Sequence, residues 1–326
     1  MTLSMLGIDI SKKTFDVAWL ADPETGKPKH RQFANTEAGF HALQAWLAKL
    51  GVDHLHAVME ATGAYGDALA DFLYRAGHTV SVVNPAQIKA FAQSQLQRNK
   101  TDRADALLIA RFAWRHHPAP WRPPQPAQQE LQALVRHLDE LIRQRTQVGN
   151  RLSDGRLTAA VRASWQRVLD TLNEQIEEVK RQINQHFDDH PDLQRQRELL
   201  DSIPGIGAET AARLLAEMPQ LGEFQTARAA AAYTGLTPKR QQSGSSMQRP
   251  GRLSKMGNRR IRYAMYMPAM AALRCSQEFK ELRARLVSRG KKKLQVIAAA
   301  MHKLIRIAYG VLKHQRPYDP KYAANA

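Results

Sequence analysis

The pattern of apolar and polar positions in residues 1–118 predicts strands and helices in alternation. Short apolar runs predict five strands, at residues 6–10, 15–20, 31–33, 55–59 and 79–83. Amphipathic spacing predicts helices around residues 40–47 and 64–75, and two more that begin at Asn84-Pro85 and near Thr101-Asp102. The resulting order βββαβαβα is that of the RNase H-like fold, so we expect an α/β domain of this class.

A proline cluster between Pro118 and Pro126 ends this pattern and predicts a domain boundary. Apolar residues then recur at three- and four-residue steps in two long segments, residues 131–152 and 169–183, which predicts two helices with heptad seams. The seams are short, so both an antiparallel pair within one chain and a dimer contact fit them. We expect three parts: residues 1–118, an all-α, coiled-coil-like middle part at 119–196, and a mainly helical part at 197–326.

The third part is strongly basic. Between Phe224 and Gln277 the sequence has ten Lys or Arg residues and no Asp or Glu. The whole chain carries 48 Lys and Arg against 30 Asp and Glu, a net charge of +18, while its 43% of hydrophobic residues is typical of a globular protein. Such one-signed charge favours a polyanionic partner, which predicts DNA or RNA.

Other features argue against a membrane or secreted protein. The sequence has no apolar run of the roughly 18–20 residues that a spanning helix needs, and Asp9 and Lys12 interrupt the start where a signal peptide would be apolar. The single cysteine, Cys275, can form neither an internal disulfide nor a thiolate metal site. We therefore expect no membrane partner and a reducing, cytoplasmic setting.

Four carboxylates fall where an RNase H-like fold would bring them together. Asp9 lies inside the first strand, Glu60 follows the fourth, and Asp102 and Asp105 begin the last helix three residues apart. Converging acids repel one another unless cations compensate, so the set predicts a two-metal site for Mg²⁺, or Mn²⁺, and phosphoryl transfer. The alternatives are structural: helix caps, a surface ion pair of Asp105, or an exposed strand end at Glu60.

Basic residues beside these acids suit phosphate contacts, although they also fit an ordinary solvated face. They are Lys89, Arg98, Lys100 and Arg103. Further along, the sequence Ile-Pro-Gly-Ile-Gly at residues 203–207 is similar to a helix-hairpin-helix turn. In such a turn Gly205 and Gly207 would let backbone N–H groups approach a DNA phosphate, whereas the alternative is a plain helix connector.

The segment Ser-Gly-Ser-Ser begins at Ser243 in the most basic stretch. The cations around it that we expect to contact nucleic acid are Lys239, Arg240, Arg249, Arg252, Lys255, Arg259 and Arg260. Taken alone, the segment favours a flexible loop, because a serine hydroxyl is a poor nucleophile without a base or metal and no local histidine supplies one.

Several motifs together carry a family resemblance across nearly the whole chain. They are Gly-Ile-Asp-Ile-Ser-Lys from Gly7, Glu-Ala-Thr-Gly from Glu60, Asn84-Pro85, Lys-Thr-Asp-Arg-Ala-Asp-Ala from Lys100, the 203–207 turn and Gly-Leu-Thr-Pro from Gly235. The chain resembles the DEDD transposases of bridge-RNA-guided insertion sequences, which are related to the Piv DNA invertase.

The resemblance implies more than the residues do alone. It implies a RuvC-like domain with Asp9, Glu60, Asp102 and Asp105 as catalytic metal ligands, and Ser243 as a nucleophile that forms a phosphoserine link to DNA. It further implies donor and target DNA and a structured guide RNA as partners, homodimers that assemble into a tetramer, and action at the bacterial nucleoid.

Two other functions remain open on the residues. A RuvC-like nuclease or junction resolvase would use the same four acids with activated water and would not need Ser243. A nucleic-acid-binding protein without catalysis would explain the basic charge but not the complete set of acids.

Overall fold

The computed structural model describes residues 4–21, 27–61, 64–96, 101–218, 224–243 and 247–320; for Ala64 and residues 239–252 it describes no side chains. The chain divides into two compact units, Met1–Pro123 and Pro124–Ala326. Residues 119–123 of the expected middle part belong to the first unit, whereas its remainder and the expected C-terminal part lie in the second unit and share one apolar core.

The first unit is built on a five-stranded sheet in the order β3-β2-β1-β4-β5. The strands are β1 Ser4–Ile10, β2 Thr14–Leu20, β3 Lys29–Ala34, β4 Leu55–Glu60 and β5 Thr79–Val83. β2 pairs antiparallel with both β1 and β3, β4 pairs parallel with β1, and β5 pairs parallel with β4. This order and direction define the RNase H-like fold and confirm the fold predicted for this region.

Helices cover both faces of this sheet. They are α1 Glu37–Lys49, α2 Asp67–Arg75, α3 Pro85–Ser94 and α4 Asp102–His116, with a 3₁₀ turn at Ala64–Gly66 before α2. Leu6 and Ile8 of β1 point to the face that packs against α1 and α2. Met5 points to the opposite face, which packs against α3 and α4. Alternation along β1 therefore assigns odd-numbered residues, including Asp9, to the α3–α4 side.

The second unit begins with two long antiparallel helices, α5 Pro126–Leu152 and α6 Ala159–Asp188. The ring nitrogen Nε2 of His186 lies 2.8 Å from the Ala127 carbonyl oxygen, and Arg162 donates to the Leu152 carbonyl oxygen at 2.9 Å. The predicted heptad seams face each other within one chain, burying Leu138 of α5 among others. Of the two arrangements that fitted the seams, this is the antiparallel pair.

Seven further helices lie in the described part of this unit. They are α7 Pro191–Asp201, α8 Ala208–Glu217, α9 Ala227–Tyr233, α10 Arg259–Ala264, α11 Tyr266–Cys275, α12 Gln277–Ser288 and α13 Lys293–His314. By length and composition α13 could cross a membrane. Ten of its residues, among them Leu304 and Ile305, are instead buried in the apolar core, which is typical of the central helix of a globular domain.

Two short strands interrupt the helical region, which the sequence pattern did not predict. β6 Pro238–Ser243 pairs antiparallel with β7 Met247–Leu253, with an irregularity between Lys239 and Gln241. Because these strands are rich in Lys, Arg and Gln, they lack the apolar alternation by which strands are identified in a sequence. Part of the segment predicted as a loop at Ser243 is therefore strand.

Candidate active site

Asp9 lies near the end of β1, between two neighbouring strands. On one side it is directly opposite Asp16 of antiparallel β2. On the other side Ile8 pairs with Met59 of parallel β4, so Glu60 follows at the next position of that strand. Residues paired across a sheet point to the same face. Asp9, Asp16 and Glu60 are therefore neighbours on the face of the sheet that α4 covers.

The first turn of α4 supplies two more acids to this face. Thr101 is the N-cap of the helix, since its side-chain hydroxyl accepts a hydrogen bond from the Ala104 amide at 3.2 Å. Asp102 and Asp105 then lie in the first turn, three residues apart and thus on one side of the helix. Thr101, rather than Asp102, caps the helix, so capping does not account for Asp102.

Gly7 sets how closely α4 approaches β1. A Cβ at Gly7 would overlap the carbonyl oxygen of Ala106 and the amide nitrogen of Ala110, and would lie 2.9 Å from the Ala110 Cα. Gly7 and Asp9 are two residues apart on the strand and face the helix together. The missing side chain therefore lets the helix that carries Asp102 and Asp105 pack directly on the strand that carries Asp9.

The surroundings of Asp9 change its pKa. Burial raises this pKa from its ordinary value of 3.8 to about 6, with further contributions from the negative charges of Asp105, Asp102, Glu60 and Asp16. Each neighbouring carboxylate disfavours ionisation of the next. Glu60 is half-buried rather than exposed, so it is not a simple solvated strand end.

The donor set suits a hard divalent cation, but the side chains do not form a finished coordination shell. In the part of the chain that the structure describes, no group of three or more His, Cys, Asp or Glu side chains is arranged to hold a metal ion. Carboxylate oxygens are the ligands that Mg²⁺ and Mn²⁺ prefer. A cation would also relieve the repulsion that raises the pKa of Asp9, and its binding would have to draw the carboxylates closer together.

Asp16 was not singled out from the sequence. It is only 5% exposed, its Oδ2 accepts a hydrogen bond from Gln32 Nε2 at 2.8 Å, and its Oδ1 lies 2.7 Å from His30 Nε2. Both oxygens are engaged by β3, so Asp16 contributes charge beside Asp9 rather than a free ligand. A carboxylate inside an apolar strand was the available signal, but its partners follow only from the β2–β3 register.

The basic residues expected near the acids are only partly described. Lys89 is exposed on α3 and Arg103 is exposed in the first turn of α4. Arg98 and Lys100 lie outside the described residues. Lys89 and Arg103 are therefore available to solvent for phosphate contacts.

The two glycines of the 203–207 turn have different surroundings. Gly205 has φ of +89°, and a Cβ there would overlap the Pro268 carbonyl oxygen and lie 2.9 Å from the Ala272 amide nitrogen of α11. Close packing within the protein thus explains Gly205 without a phosphate. Gly207, at the N-cap of α8, has open space where a side chain would stand, so the predicted contact between backbone amides and DNA fits Gly207 better.

Ser243 is the last residue of β6 and its backbone pairs with Met247 of β7. Its side chain, like those of Lys239, Arg240, Arg249 and Arg252, lies outside the described part of the structure. The base of this hairpin is held tightly: Arg262 donates to the carbonyl oxygens of both Thr234 and Gly257 at 2.9 Å. Backbone hydrogen bonds also join the two flanks, from Ser254 to Thr237 and from Lys255 to Gly235, so residues 234–237 and 254–257 form the base of the hairpin.

A buried carboxylate anchors that base to two other helices. Glu217 of α8 is 5% exposed and accepts hydrogen bonds from Arg136 of α5 at 2.7 and 3.2 Å. Asn258, the N-cap of α10, donates to both the Glu217 side chain and its backbone carbonyl, and the Arg260 Nε lies 3.6 Å from Glu217 Oε1. Glu217 therefore links the two-helix hairpin to the start of the basic α10.

We expect Glu217→Ala to destabilise the second unit by about 2–3 kcal/mol, because Arg136 and Asn258 both lose their hydrogen bonds to this buried carboxylate. Urea unfolding monitored by circular dichroism measures the change. Arg143→Ala is the matched control, since it removes an ion pair with Glu140 whose side chains are 56% and 46% exposed and should change stability by less than about 1 kcal/mol. Equal effects of the two substitutions would contradict the anchoring role.

Of the remaining predicted nucleic-acid contacts, Lys255, Arg259 and Arg260 are described and exposed. They lie at and just before the N-terminus of α10, within the acid-free segment. Phosphate contacts at these positions stay a prediction.

A sheet of RNase H-like order with a carboxylate cluster at its α4 face is typical of enzymes that act on nucleic acid. Comparisons with known proteins agree with that class. A sequence profile described as "Transposase" matches residues 6–157, and one described as "Transposase IS116/IS110/IS902 family" matches residues 197–284. The pilin gene-inverting protein of Moraxella bovis is 33% identical, over 98% of this chain and 99% of its own length.

Two further similarities are more distant. The transposase for insertion sequence element IS1111A of Coxiella burnetii is 27% identical, over 83% of this chain and 78% of its own. The solved structure of T. thermophilus RuvC in complex with Holliday junction substrate has 14% identity and a TM-score of 0.29, and covers 36% of this chain and 99% of that one. The chain belongs to the IS116/IS110/IS902 family of transposases, DNA-acting enzymes, which confirms the family suggested by its motifs.

Proposed function

We propose that this transposase is an RNA-guided DNA recombinase that cleaves and exchanges strands through a covalent serine–DNA intermediate, assisted by divalent metal. The observation that carries the proposal is the placement of four carboxylates at one face of an RNase H-like sheet: strand register puts Asp9 beside Glu60, and the helix with Asp102 and Asp105 in its first turn packs on β1 at Gly7. Such a concentration of negative charge costs stability without a cation, and acids of this kind serve phosphoryl transfer in two-metal enzymes.

Asp9, Glu60, Asp102 and Asp105 would hold the cations, Mg²⁺ or Mn²⁺. When bound, the metals would supply charge that stabilises the phosphate and the departing oxygen. The protein itself would orient these ligands. The register of β1 and β4 places Asp9 beside Glu60. Close packing at Gly7 positions the helix that carries Asp102 and Asp105. Exposed Lys89 and Arg103 would bind the phosphates of the strand that enters.

Ser243 would be the nucleophile. Its oxygen forms a bond to a DNA phosphorus atom while the bond from phosphorus to one strand oxygen breaks, and the serine proton passes to that leaving oxygen. The phosphoserine ester conserves the bond energy, so a strand hydroxyl can later attack it, rejoin the DNA and restore the serine. The location of Ser243 at the turn end of β6, in a hairpin whose flanks are joined by Arg262, supports this role, as do the arginines and lysines in the same strands.

The partners would be donor and target DNA and a structured guide RNA, bound by a homodimer that assembles into a tetramer in the bacterial cytoplasm, at the nucleoid. The net charge of +18 and the acid-free segment support nucleic-acid partners. A relative named as a gene-inverting protein supports recombination of DNA rather than its degradation.

The test combines the protein with its flanking non-coding RNA, Mg²⁺ and labelled donor and target DNA, followed by a denaturing protein gel. We expect a DNA-linked protein band that Ser243→Ala, Asp102→Ala and EDTA each abolish. Ser245→Ala, in the same segment, is the matched control and should retain the band. Cleaved DNA without a linked band, with full activity of Ser243→Ala, would instead identify a hydrolytic RuvC-like nuclease or junction resolvase.

A further inference from the structure

The outer face of α10 and α11 carries large apolar side chains in solvent. Tyr263 is 86% exposed, Met267 62% and Tyr266 38%. Met265, the single residue between the two helices, has φ of −80° and ψ of −8°, so the chain stays in the right-handed helical region as it passes from α10 into α11. Residues four apart then lie on one face, which aligns Arg259, Tyr263 and Met267.

The same helices are anchored on their inner side. Ile261, Met265 and Ala269 are fully or almost fully buried in the core of the second unit. The apolar residues needed for packing are therefore separate from the exposed ones. Single exposed apolar residues are common in proteins, but two tyrosines and a methionine within five positions form a cluster that the packing does not explain.

Charge indicates what this face binds. Arg259 lies at one end of the cluster and exposed Arg274 at the other, and the sequence from Phe224 to Gln277 has no acidic residue. From Arg259 to Arg274 the helical rise gives a length of about 22 Å, enough for a few nucleotides. Aromatic rings between cations are the arrangement by which proteins bind single-stranded nucleic acids.

We propose that the tyrosine stripe, defined as Arg259, Tyr263, Tyr266, Met267 and Arg274, binds unpaired nucleotides. Tyr263 stacks on a base while Arg259 and Arg274 contact phosphates on either side. A base within a duplex has both faces covered by its neighbours, so the stripe distinguishes single strands from duplexes. The inference rests on the proposed function only in taking nucleic acid as the ligand, and it adds a site to it.

The experiment measures binding by fluorescence anisotropy with the full chain in EDTA, where no strand is cut. The probes are a labelled single-stranded DNA oligonucleotide, an RNA of the same sequence, and the DNA duplex. We expect Tyr263→Ala to weaken single-strand binding by roughly 5- to 100-fold, to leave duplex binding unchanged and to leave the salt dependence as it is. Comparing DNA with RNA identifies which strand the stripe prefers.

Three variants separate stacking from charge and from misfolding. Tyr263→Phe keeps a ring and should bind like the wild type, whereas Arg259→Ala should lower the salt dependence by about one phosphate contact. Val287→Ala alters another side chain of the same unit that is 55% exposed and should change nothing. Because Tyr263 is so exposed, Tyr263→Ala should melt at the wild-type temperature.

A second readout places the contact on a base. An oligonucleotide that carries 2-aminopurine should change its fluorescence on binding the wild type and Tyr263→Phe, but much less on binding Tyr263→Ala. Unchanged single-strand affinity of Tyr263→Ala, or an equal loss for the duplex, would overturn the proposal. Since no metal and no serine chemistry enter, failure of the serine mechanism would leave these results unaffected.

Discussion

Gly7→Ala is expected to destabilise the first unit by about 3 kcal/mol and to lower strand cleavage by roughly 100-fold. The new methyl group would overlap backbone atoms of Ala106 and Ala110, and a helix backbone cannot yield as a flexible side chain can. The whole of α4 would have to move away from β1, and Asp102 and Asp105 would move with it. Thermal unfolding and a cleavage assay on the purified variant measure the two effects.

Gly149→Ala is the matched control for this substitution. Gly149 lies within α5 with open space around its missing side chain, so alanine there should leave stability unchanged or raise it by up to about 1 kcal/mol. A Gly7→Ala protein with wild-type stability and activity would show that α4 can be displaced without cost, and would argue against its role in presenting the acids.

Asp9→Asn is expected to lower metal-dependent strand cleavage by about 10³-fold or more while stabilising the metal-free protein at pH 7.5. The two effects have one cause, the repulsion and burial that raise the pKa of Asp9 to about 6. Ionised Asp9 is costly in the folded state, and asparagine has the same shape without the charge. Because Asp9 is only half-buried, solvent screening limits the stabilisation to roughly 1–2 kcal/mol.

The raised pKa of Asp9 also determines how the stability of the metal-free protein changes with pH. Without metal, the folded protein holds the Asp9 proton more tightly than the unfolded chain does, whose carboxyl has the ordinary pKa of 3.8. The contribution of this group to stability is therefore full below about pH 4 and is lost as the pH rises to about 6. Asp9→Asn should remove that part of the profile, and exposed Asp53→Asn should not.

Divalent metal should offset the loss of stability that ionised Asp9 causes at higher pH. Mg²⁺ binds ionised carboxylates, so it should raise the melting temperature of the wild type at pH 7.5 far more than at pH 5, and should affect Asp9→Asn little. Identical metal-free profiles of wild type and Asp9→Asn, or equal stabilisation of both by Mg²⁺, would argue against Asp9 as the centre of the site.

The first unit could be predicted from sequence because its strands are apolar and its helices carry clear start signals. The runs at β1, β4 and β5 and the Asn84-Pro85 and Thr101-Asp102 starts gave the element order, and element order gave the sheet. Asp9 and Glu60 followed from that sheet. Their neighbour Asp16 did not, because the partners that bury it, His30 and Gln32, are set by the register of two strands.

The second unit was harder for a related reason. From the sequence, Glu217 looks like a solvent-exposed acid on a helix. It is buried because it pairs with Arg136, which lies 81 residues earlier in the chain. The β6–β7 hairpin has a polar sequence, so no periodicity marked it. A tyrosine in an apolar helical segment, such as Tyr263, would be expected in the core. The burial of Ile261 and Met265 shows that Tyr263 faces outward instead. Long-range contacts decide all three.

The boundary at Pro123–Pro124 has a consequence for control of the reaction. All four acids belong to one compact unit, and Ser243 and the tyrosine stripe belong to the other. Under the proposed mechanism, neither unit alone has the groups to cut a strand. A fragment that holds only one of the two units would therefore leave DNA uncut.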